Sequence, residues 1–136
     1  MKLLLDTHVF LRWFLEPERL DPAWPEAIDA AEQAYLSALS MMEIGILYNK
    51  KRVQISGEPS AFVLDGMNAL QLMPLSVTPQ HALATFALPR HHGDPVDRLL
   101  IAQARCERLT IMTSDKIIPK YDVPVFGEPA RKQKRG

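Results

Sequence analysis

Short apolar segments alternate with segments of helical periodicity along this chain, and this order restricts the possible folds more than any other feature. The predicted strands cover 2–5, 33–38, 71–77, 109–113 and 123–126. The first predicted helix follows the first strand, and the second begins near Pro22 or Pro25. Four later helices cover 41–49, 60–70, 79–88 and 94–108. Because parallel strands need crossover connections, this order predicts an α/β protein with a central parallel sheet and helices on both faces.

The composition is that of an ordinary globular domain. Of 136 residues, 47% are hydrophobic and 24% are charged, and both fractions are typical of soluble proteins. We expect one domain over 1–128 and a basic tail over 129–136, charged at Arg131, Lys132, Lys134 and Arg135. Such a terminus is usually solvated and frayed, and contact with RNA is the alternative interpretation.

The charge balance and the absent motifs argue against several functions. Sixteen basic residues balance sixteen acidic ones, so any binding of nucleic acid must depend on a local patch, a metal or a partner rather than on bulk charge. The sequence contains no GxxxxGK[ST], GxGxxG or GxSxG motif. P-loop hydrolysis, dinucleotide binding and serine hydrolysis therefore lose their usual support.

Cysteine usage and the N-terminal segment indicate the compartment. The single cysteine, Cys106, cannot form an internal disulfide, so an oxidising compartment is not required, and we interpret it as a small packed hydrophobe. The apolar N-terminus is interrupted by Asp6, His8 and Arg12 and is too short to span a bilayer. We expect a cytoplasmic protein without membrane association.

Acidic residues follow several predicted strands. Asp6 comes directly after the first strand, Asp115 follows the fourth, and Glu43 lies near the start of the helix after the second. In open α/β sheets, ligands bind at the carboxyl ends of the strands. Three acids therefore point toward one edge of the sheet, and Asp97 joins them if its helix begins at the same edge.

Helix capping is the alternative explanation for two of these acids. The segment Ser40–Glu43 has the S-x-x-E pattern of a capping box, and Asp94 can cap a helix in which Asp97 is the third residue. Asp6 and Asp115 have no comparable capping alternative.

Helix periodicity favours a shared site over capping. Apolar residues follow Asp97 at helical spacing (Leu100, Ile101, Ala104), and a shorter stripe of Ile46 and Leu47 follows Glu43. Both acids thus begin an apolar face, whereas a solvated acid more often lies on the opposite face.

Four converging acids require a counter-charge. Two carboxylates about 5 Å apart repel by roughly 3 kcal/mol at an effective dielectric near 20. A divalent cation removes this cost, and an all-oxygen ligand set favours Mg²⁺ or Mn²⁺ over zinc.

Neighbouring polar residues have two interpretations each. The hydroxyls of Thr7, Thr113 and Ser114 could hold metal-bound water or cap the next helix. Arg98 could contact phosphate or form a surface salt bridge. The adjacent His91 and His92 lack the spacing of a zinc pair, so we assign both to a loop.

Four segments resemble PIN-domain ribonucleases, and within them the VapC-like toxins of bacterial and archaeal toxin–antitoxin pairs. They are LLLDTHVFLRWF, YLSALSMMEIGIL, HHGDPVDRLLIAQA and TSDKIIPKYDVPVF, which cover most of the chain in order. Met42 and Val96 depart from the family's usual aromatic residues, and all the expected acids are present.

The resemblance implies an α/β/α sandwich and a Mg²⁺- or Mn²⁺-dependent endoribonuclease acting on RNA. It places Asp6, Glu43, Asp97 and Asp115 in the acidic site, with Asp94 as a cap. It also implies a small cognate antitoxin, which lays a helix or extended segment into a groove near the acids, and a homodimer.

The chemistry assigns a role to each acid. Asp6 and Asp97 are expected to contact metal directly, with Glu43 orienting or deprotonating water and Asp115 acting through water.

Two other functions are possible for such a chain. One is an aspartyl-phosphate enzyme with Asp6 as nucleophile, but His8 stands where haloacid-dehalogenase-like enzymes need a second acid. The other is a non-catalytic PIN-like module that binds RNA or protein.

Overall fold

The fold alternates five strands with six helices. In this computed structural model, residues 1–91 and 93–127 are described, so His92 and the basic tail lie outside the described residues. The strands are β1 (Lys2–Leu5), β2 (Gln33–Ser37), β3 (Met73–Leu75), β4 (Thr110–Met112) and β5 (Val125–Phe126). The helices are α1 (Thr7–Leu15), α2 (Ala23–Ala30), α3 (Ala38–Asn49), α4 (Pro59–Leu70), α5 (Pro79–Ala84) and α6 (Pro95–Glu107).

The strands form one parallel sheet in the order β3-β2-β1-β4-β5. β1 is therefore central and has β2 on one side and β4 on the other. The register pairs Leu4 with Tyr35 of β2 and with Ile111 of β4. This arrangement confirms the predicted parallel sheet and brings the ends of β1 and β4, which precede Asp6 and Asp115, side by side.

The sheet is covered on both faces, because successive residues of β1 point in opposite directions. Leu3 and Leu5 pack in a core with α1, α2, α3 and α4, while Leu4 packs in a second core built mainly on α6. All three leucines are fully buried. The predicted α/β/α sandwich is thus confirmed.

Several predicted boundaries were wrong, because local hydrogen bonds end the elements elsewhere. The second strand stops at Ser37, whose side chain accepts from the Leu39 amide and so begins α3 three residues before the predicted start. The third strand is shorter than predicted because Gln71 adopts a left-handed conformation that closes α4. The predicted helix over 79–88 is α5 followed by a 3₁₀ turn over 85–87.

Three helices end on a non-glycine residue in the left-handed conformation. Lys51, Gln71 and Arg108 have φ angles of 59°, 56° and 60°. In each case the next amide donates to a carbonyl five residues back, as Leu109 does to Ala104 at 2.8 Å. This is the Schellman arrangement, in which glycine is the preferred residue.

Replacing Arg108 by glycine is therefore expected to raise the free energy of unfolding by about 1 kcal/mol, because glycine removes the steric cost of the left-handed conformation. Urea unfolding measures the change. Arg108→Ala is the control, since it removes the same side chain and keeps the Cβ atom. Equal stability of the two variants would contradict the explanation.

Within the described ranges, none of the helices combines the length and apolar character needed to cross a membrane.

Candidate active site

Asp6 and Asp115 are joined by a buried threonine. The Asp6 side chain, which is 3% exposed, accepts from the Thr113 hydroxyl at 2.6 Å. The same hydroxyl oxygen accepts from the Asp115 backbone amide at 3.0 Å. Thr113 thus fixes the Asp6 carboxylate and the start of the loop that carries Asp115, as expected where β1 and β4 end side by side.

The prediction that these two acids have no capping role was wrong. Asp6 is the N-cap of α1 and accepts from the His8 amide at 3.4 Å. Asp115 accepts from the Ile117 amide at 2.6 Å and from the Ile118 amide at 3.4 Å. Asp6 is the single residue between β1 and α1, and Asp115 lies three residues before a 3₁₀ turn over 118–120. Each side chain therefore lies within reach of the free amides of the turn that follows.

The predicted start of the α6 helix is confirmed. Asp94 is its N-cap and accepts from the Val96 amide at 2.9 Å, and Asp97 is the third residue of the helix. The apolar stripe that follows Asp97 is fully buried at Leu100, Ile101 and Ala104. The same stripe draws the Asp97 side chain inward, where it is 8% exposed.

The predicted capping box at Glu43 is wrong, since α3 begins at Ala38 and Ser37 is its cap. Ser40 is instead buried and accepts a hydrogen bond of 2.7 Å from Thr7. Of the predicted apolar stripe, Leu47 packs against the core, whereas Ile46 is 42% exposed. Glu43 is left half-buried, in the second turn of α3 and without a role at the helix start.

The electrostatics show that the acids are near one another. Burial and then the charges of Asp6, Asp94, Asp115 and Glu43 raise the pKa of Asp97 from 3.8 to about 8. Burial also raises the pKa of Asp6, although the hydrogen bond from Thr113 and the nearby His8 lower it. The neighbouring acids thus make it harder for Asp97 to ionise, and the charge of Asp115 acts in the same direction on Asp6.

The residues fit a hard divalent cation by their chemistry. Carboxylate oxygens are the ligands that Mg²⁺ and Mn²⁺ prefer, and a cation offsets the repulsion that raises the Asp97 pKa. In the described part of the chain, no group of three or more His, Cys, Asp or Glu side chains is arranged as a ready ligand set. Binding would therefore require some of these side chains to turn from their present hydrogen bonds.

The supporting residues differ in their contacts. Thr7 donates to Ser40 and Thr113 donates to Asp6, so both hydroxyls hold the site together. Ser114 lines the cleft beside Asp6 and Asp115.

Arg98 contacts the loop that precedes α6. Its guanidinium donates to the carbonyls of Pro89, Thr85 and Leu88 at 2.8, 3.2 and 3.3 Å. These contacts are neither a phosphate site nor the surface salt bridge considered from the sequence. They fix the loop that precedes α6, and the guanidinium also donates to the Tyr121 hydroxyl at 3.4 Å, in the segment that follows Asp115.

Comparison with known families agrees with this arrangement. A family model described as the PIN domain matches residues 3–124. The chain is 32% identical over 124 residues to Ribonuclease VapC22 of Mycobacterium tuberculosis (strain ATCC 25618 / H37Rv). The aligned region covers 89% of this chain and 92% of that protein. The chain therefore belongs to the PIN-domain family, as the resemblance of its motifs implied.

Solved structures share the fold. The structure of VapBC2 from Rickettsia felis, bound to a DNA fragment from its promoter, matches with a TM-score of 0.73 at 11% identity and covers 95% of this chain and 100% of that chain. The structure of DNA-bound VapBC from Salmonella typhimurium matches with a TM-score of 0.63 at 16% identity, over 93% and 98%. At these identities the likeness concerns the architecture.

Proposed function

We propose that this PIN-domain protein is the toxin of a toxin–antitoxin pair and an endoribonuclease, with Asp6, Glu43, Asp97 and Asp115 as its acidic site. The observation that carries the proposal is the raised pKa of Asp97, which its burial and then the charges of four neighbouring acids produce together. Perturbed acids of this kind cluster at functional sites. The relative in Mycobacterium tuberculosis is named a ribonuclease, which supports RNA as the substrate.

The acids would hold Mg²⁺ or Mn²⁺. Asp6 and Asp97 would be the most direct ligands, and Glu43 and Asp115 would contribute less directly. When bound, such a cation activates a water molecule near neutral pH and neutralises charge on the phosphate. The chain contributes the positioning. Thr113 holds the Asp6 carboxylate, and Asp94 fixes the first turn of α6, which carries Asp97. Glu43 would orient or deprotonate the attacking water.

An RNA cleavage assay on the full chain tests this proposal. We expect cutting with Mn²⁺ or Mg²⁺, none after chelation with EDTA, and recovery when the cation is returned. Asp65→Asn, which changes an exposed acid on α4, should cut like the wild type. If the wild type binds RNA yet does not cut any RNA with either cation, the protein is instead a non-catalytic binding module.

Thr113→Val is expected to lower kcat by about tenfold to a hundredfold with little change in KM, because the Asp6 carboxylate loses the hydroxyl that orients it. The lost buried hydrogen bond should also lower the free energy of unfolding by about 1–2 kcal/mol. Thr113→Ser keeps the hydroxyl and should recover most of kcat. A valine variant with unchanged kcat would show that Asp6 needs no such support.

We also propose that a small antitoxin covers the exposed apolar surface beside Glu43. α3 exposes Met42 (53%) and Ile46 (42%), and α4 exposes Leu64 (63%). Between the two helices lies a cavity of about 550 Å³, lined partly by Ile44, Val63 and Leu64. Such a groove can receive the apolar face of a helix, and the solved neighbours are themselves VapBC complexes.

Coexpression with a candidate antitoxin tests the partner. A stable complex should form with the wild type and silence RNA cutting, and Leu64→Glu should weaken it, because a charge in the groove must be desolvated. Asp65→Asn is again the matched control. Loss of RNA cutting by Leu64→Glu itself would show damage to the fold rather than to this surface.

We also propose that the free protein is a homodimer. Light scattering of the isolated chain tests this proposal.

A further inference from the structure

Two buried hydroxyls join the first turns of α1 and α3. Thr7 is the first residue of α1 and directly follows Asp6, and Ser40 is the third residue of α3 and precedes Glu43 by three positions. Both side chains are fully buried, and the Thr7 hydroxyl donates to the Ser40 hydroxyl at 2.7 Å. This bond therefore links the segment that carries Asp6 to the segment that carries Glu43.

The bond fixes how the two helices meet. β1 and β2 are parallel neighbours, so α1 and α3 both begin at the edge of the sheet where the strands end. Phe10 of α1 and Ile44 of α3 belong to one apolar core, but apolar contacts are non-directional and leave the helices free to shift slightly. A hydrogen bond requires a short distance and a near-linear donor. The Thr7–Ser40 bond thus specifies where the first turn of α3 lies against α1.

The position of Glu43 depends on this turn. Three residues after Ser40, it lies about 4.5 Å further along the helix axis and about 60° around it. Hydrogen bonds fix the carboxylates of Asp6 and Asp115. The half-buried Glu43 carboxylate makes no hydrogen bond or ion pair with the described residues, although its charge acts on Asp97. The placement of α3 therefore decides where Glu43 stands among the acids.

We infer that Ser40 is a positioning residue, which sets the place of Glu43 beside Asp6 through its hydrogen bond with Thr7. This inference rests on the proposed function, because the place of Glu43 matters only if the acids act together. Ser40 is fully buried and its hydroxyl is engaged by Thr7. It therefore acts through Glu43 and does not touch RNA.

Mn²⁺ binding to the full chain, without RNA, tests this inference. Electron paramagnetic resonance of the free ion measures the affinity. Ser40→Ala is expected to weaken Mn²⁺ binding about tenfold, a typical effect of a residue that supports a metal ligand. Glu43→Gln should also weaken it. When Glu43→Gln is already present, Ser40→Ala should have no further effect, because its action passes through the carboxylate that is missing.

Stability measurements separate positioning from folding. Thr7→Val together with Ser40→Ala removes both hydroxyls, so neither is left buried without a partner, and urea unfolding should show a smaller loss than for Ser40→Ala alone. Mn²⁺ binding should stay as weak as in Ser40→Ala, because the link is still missing. Thr7→Ser keeps the hydroxyl and should recover most of the affinity that Thr7→Val loses.

Ser37→Ala is the matched control. Ser37 is another fully buried serine at the start of α3, where its side chain accepts from the Leu39 amide. Its loss removes the helix cap and should lower the urea midpoint. Since the Thr7–Ser40 bond remains, Mn²⁺ affinity should change little.

The inference is overturned if Ser40→Ala binds Mn²⁺ as the wild type does. It is also overturned if the serine change weakens binding by the same factor with Glu43→Gln present, since Ser40 would then act on the fold or on another acid. Recovery of Mn²⁺ binding in the Thr7→Val, Ser40→Ala protein would have the same meaning. Failure of the proposed function shows differently, as a wild type that binds Mn²⁺ but never cuts RNA. A wild type that binds no Mn²⁺ would overturn both.

Discussion

Replacing Asp97 by asparagine is expected to abolish RNA cleavage and, at the same time, to make the cation-free protein more stable. Asparagine keeps the size of the side chain and removes the negative charge that would hold a cation. Loss of a direct ligand should lower kcat/KM by at least about a hundredfold. Cleavage of RNA with saturating Mn²⁺ measures the loss.

The gain in stability has a separate physical cause. With a pKa of about 8, folded Asp97 is mostly protonated at pH 7, whereas the unfolded chain ionises it freely. Each unit of difference between the two pKa values costs the folded state about 1.4 kcal/mol. Asparagine avoids this cost, so Asp97→Asn should raise the free energy of urea unfolding by a few kcal/mol in EDTA. Asp65→Asn, at an exposed site, should leave it unchanged.

The two results together distinguish a functional acid from a structural one. An acid needed only for folding would destabilise the protein when replaced, and activity would fall because less of it is folded. Natural active sites often trade stability for function in this way. An Asp97→Asn variant that is both less stable and still active would contradict the assignment of Asp97 to the site.

The stability of the cation-free protein is expected to fall as pH rises from about 4 to about 8. The pKa of Asp97 is raised in the folded state from 3.8 to about 8, so the folded protein binds more protons than the unfolded chain between these values. A raised acid pKa therefore favours the folded state at the acid end of this window, and the advantage disappears as pH passes through 8. Asp6, whose pKa is also raised, acts in the same direction.

Urea unfolding in EDTA across this pH range tests the effect. The quantity compared is the free energy of unfolding of Asp97→Asn minus that of the wild type. The stability of Asp97→Asn relative to the wild type should be near zero at pH 4 and should grow toward pH 8. Saturating Mg²⁺ should stabilise the wild type more at pH 8 than at pH 5, because the cation binds the ionised acids. A pH-independent difference would show that Asp97 titrates as an ordinary carboxylate.

The sequence was sufficient for the fold. The leucines of β1 and the stripe from Leu100 to Ala104 follow the periods of strand and helix, and both proved to be buried. Asp94 was recognisable as a cap because Pro95 follows it at the first helical position. These features depend on residues close together in the chain, so local patterns are enough to predict them.

Predictions that depended on the start of an element were less accurate. Ser37 and Ser40 are both chemically suited to cap α3, and the sequence pattern favoured Ser40. Packing decided for Ser37, because Ser40 is buried and accepts from Thr7, which lies 33 residues away. The capping role of Asp6 and Asp115 was missed for a related reason. For Asp6 it required that a single residue separate β1 from α1. For Asp115 it required the loop after β4 to fold back onto its own amides.

The amino-acid sequence by itself determined the parallel sheet and its two apolar faces, since both follow from residue type and periodicity. Only the tertiary structure decided how the acids of the candidate site affect one another. The order of β1 and β4 places Asp6 beside the Asp115 loop through Thr113, and α6 buries Asp97 among charges from three other parts of the chain. The cleft beside Asp6 and Asp115 is likewise a tertiary feature, because residues of α1 and of the segment after α3 share its lining only after folding. Charge repulsion depends on distance in space, and sequence patterns do not specify that distance.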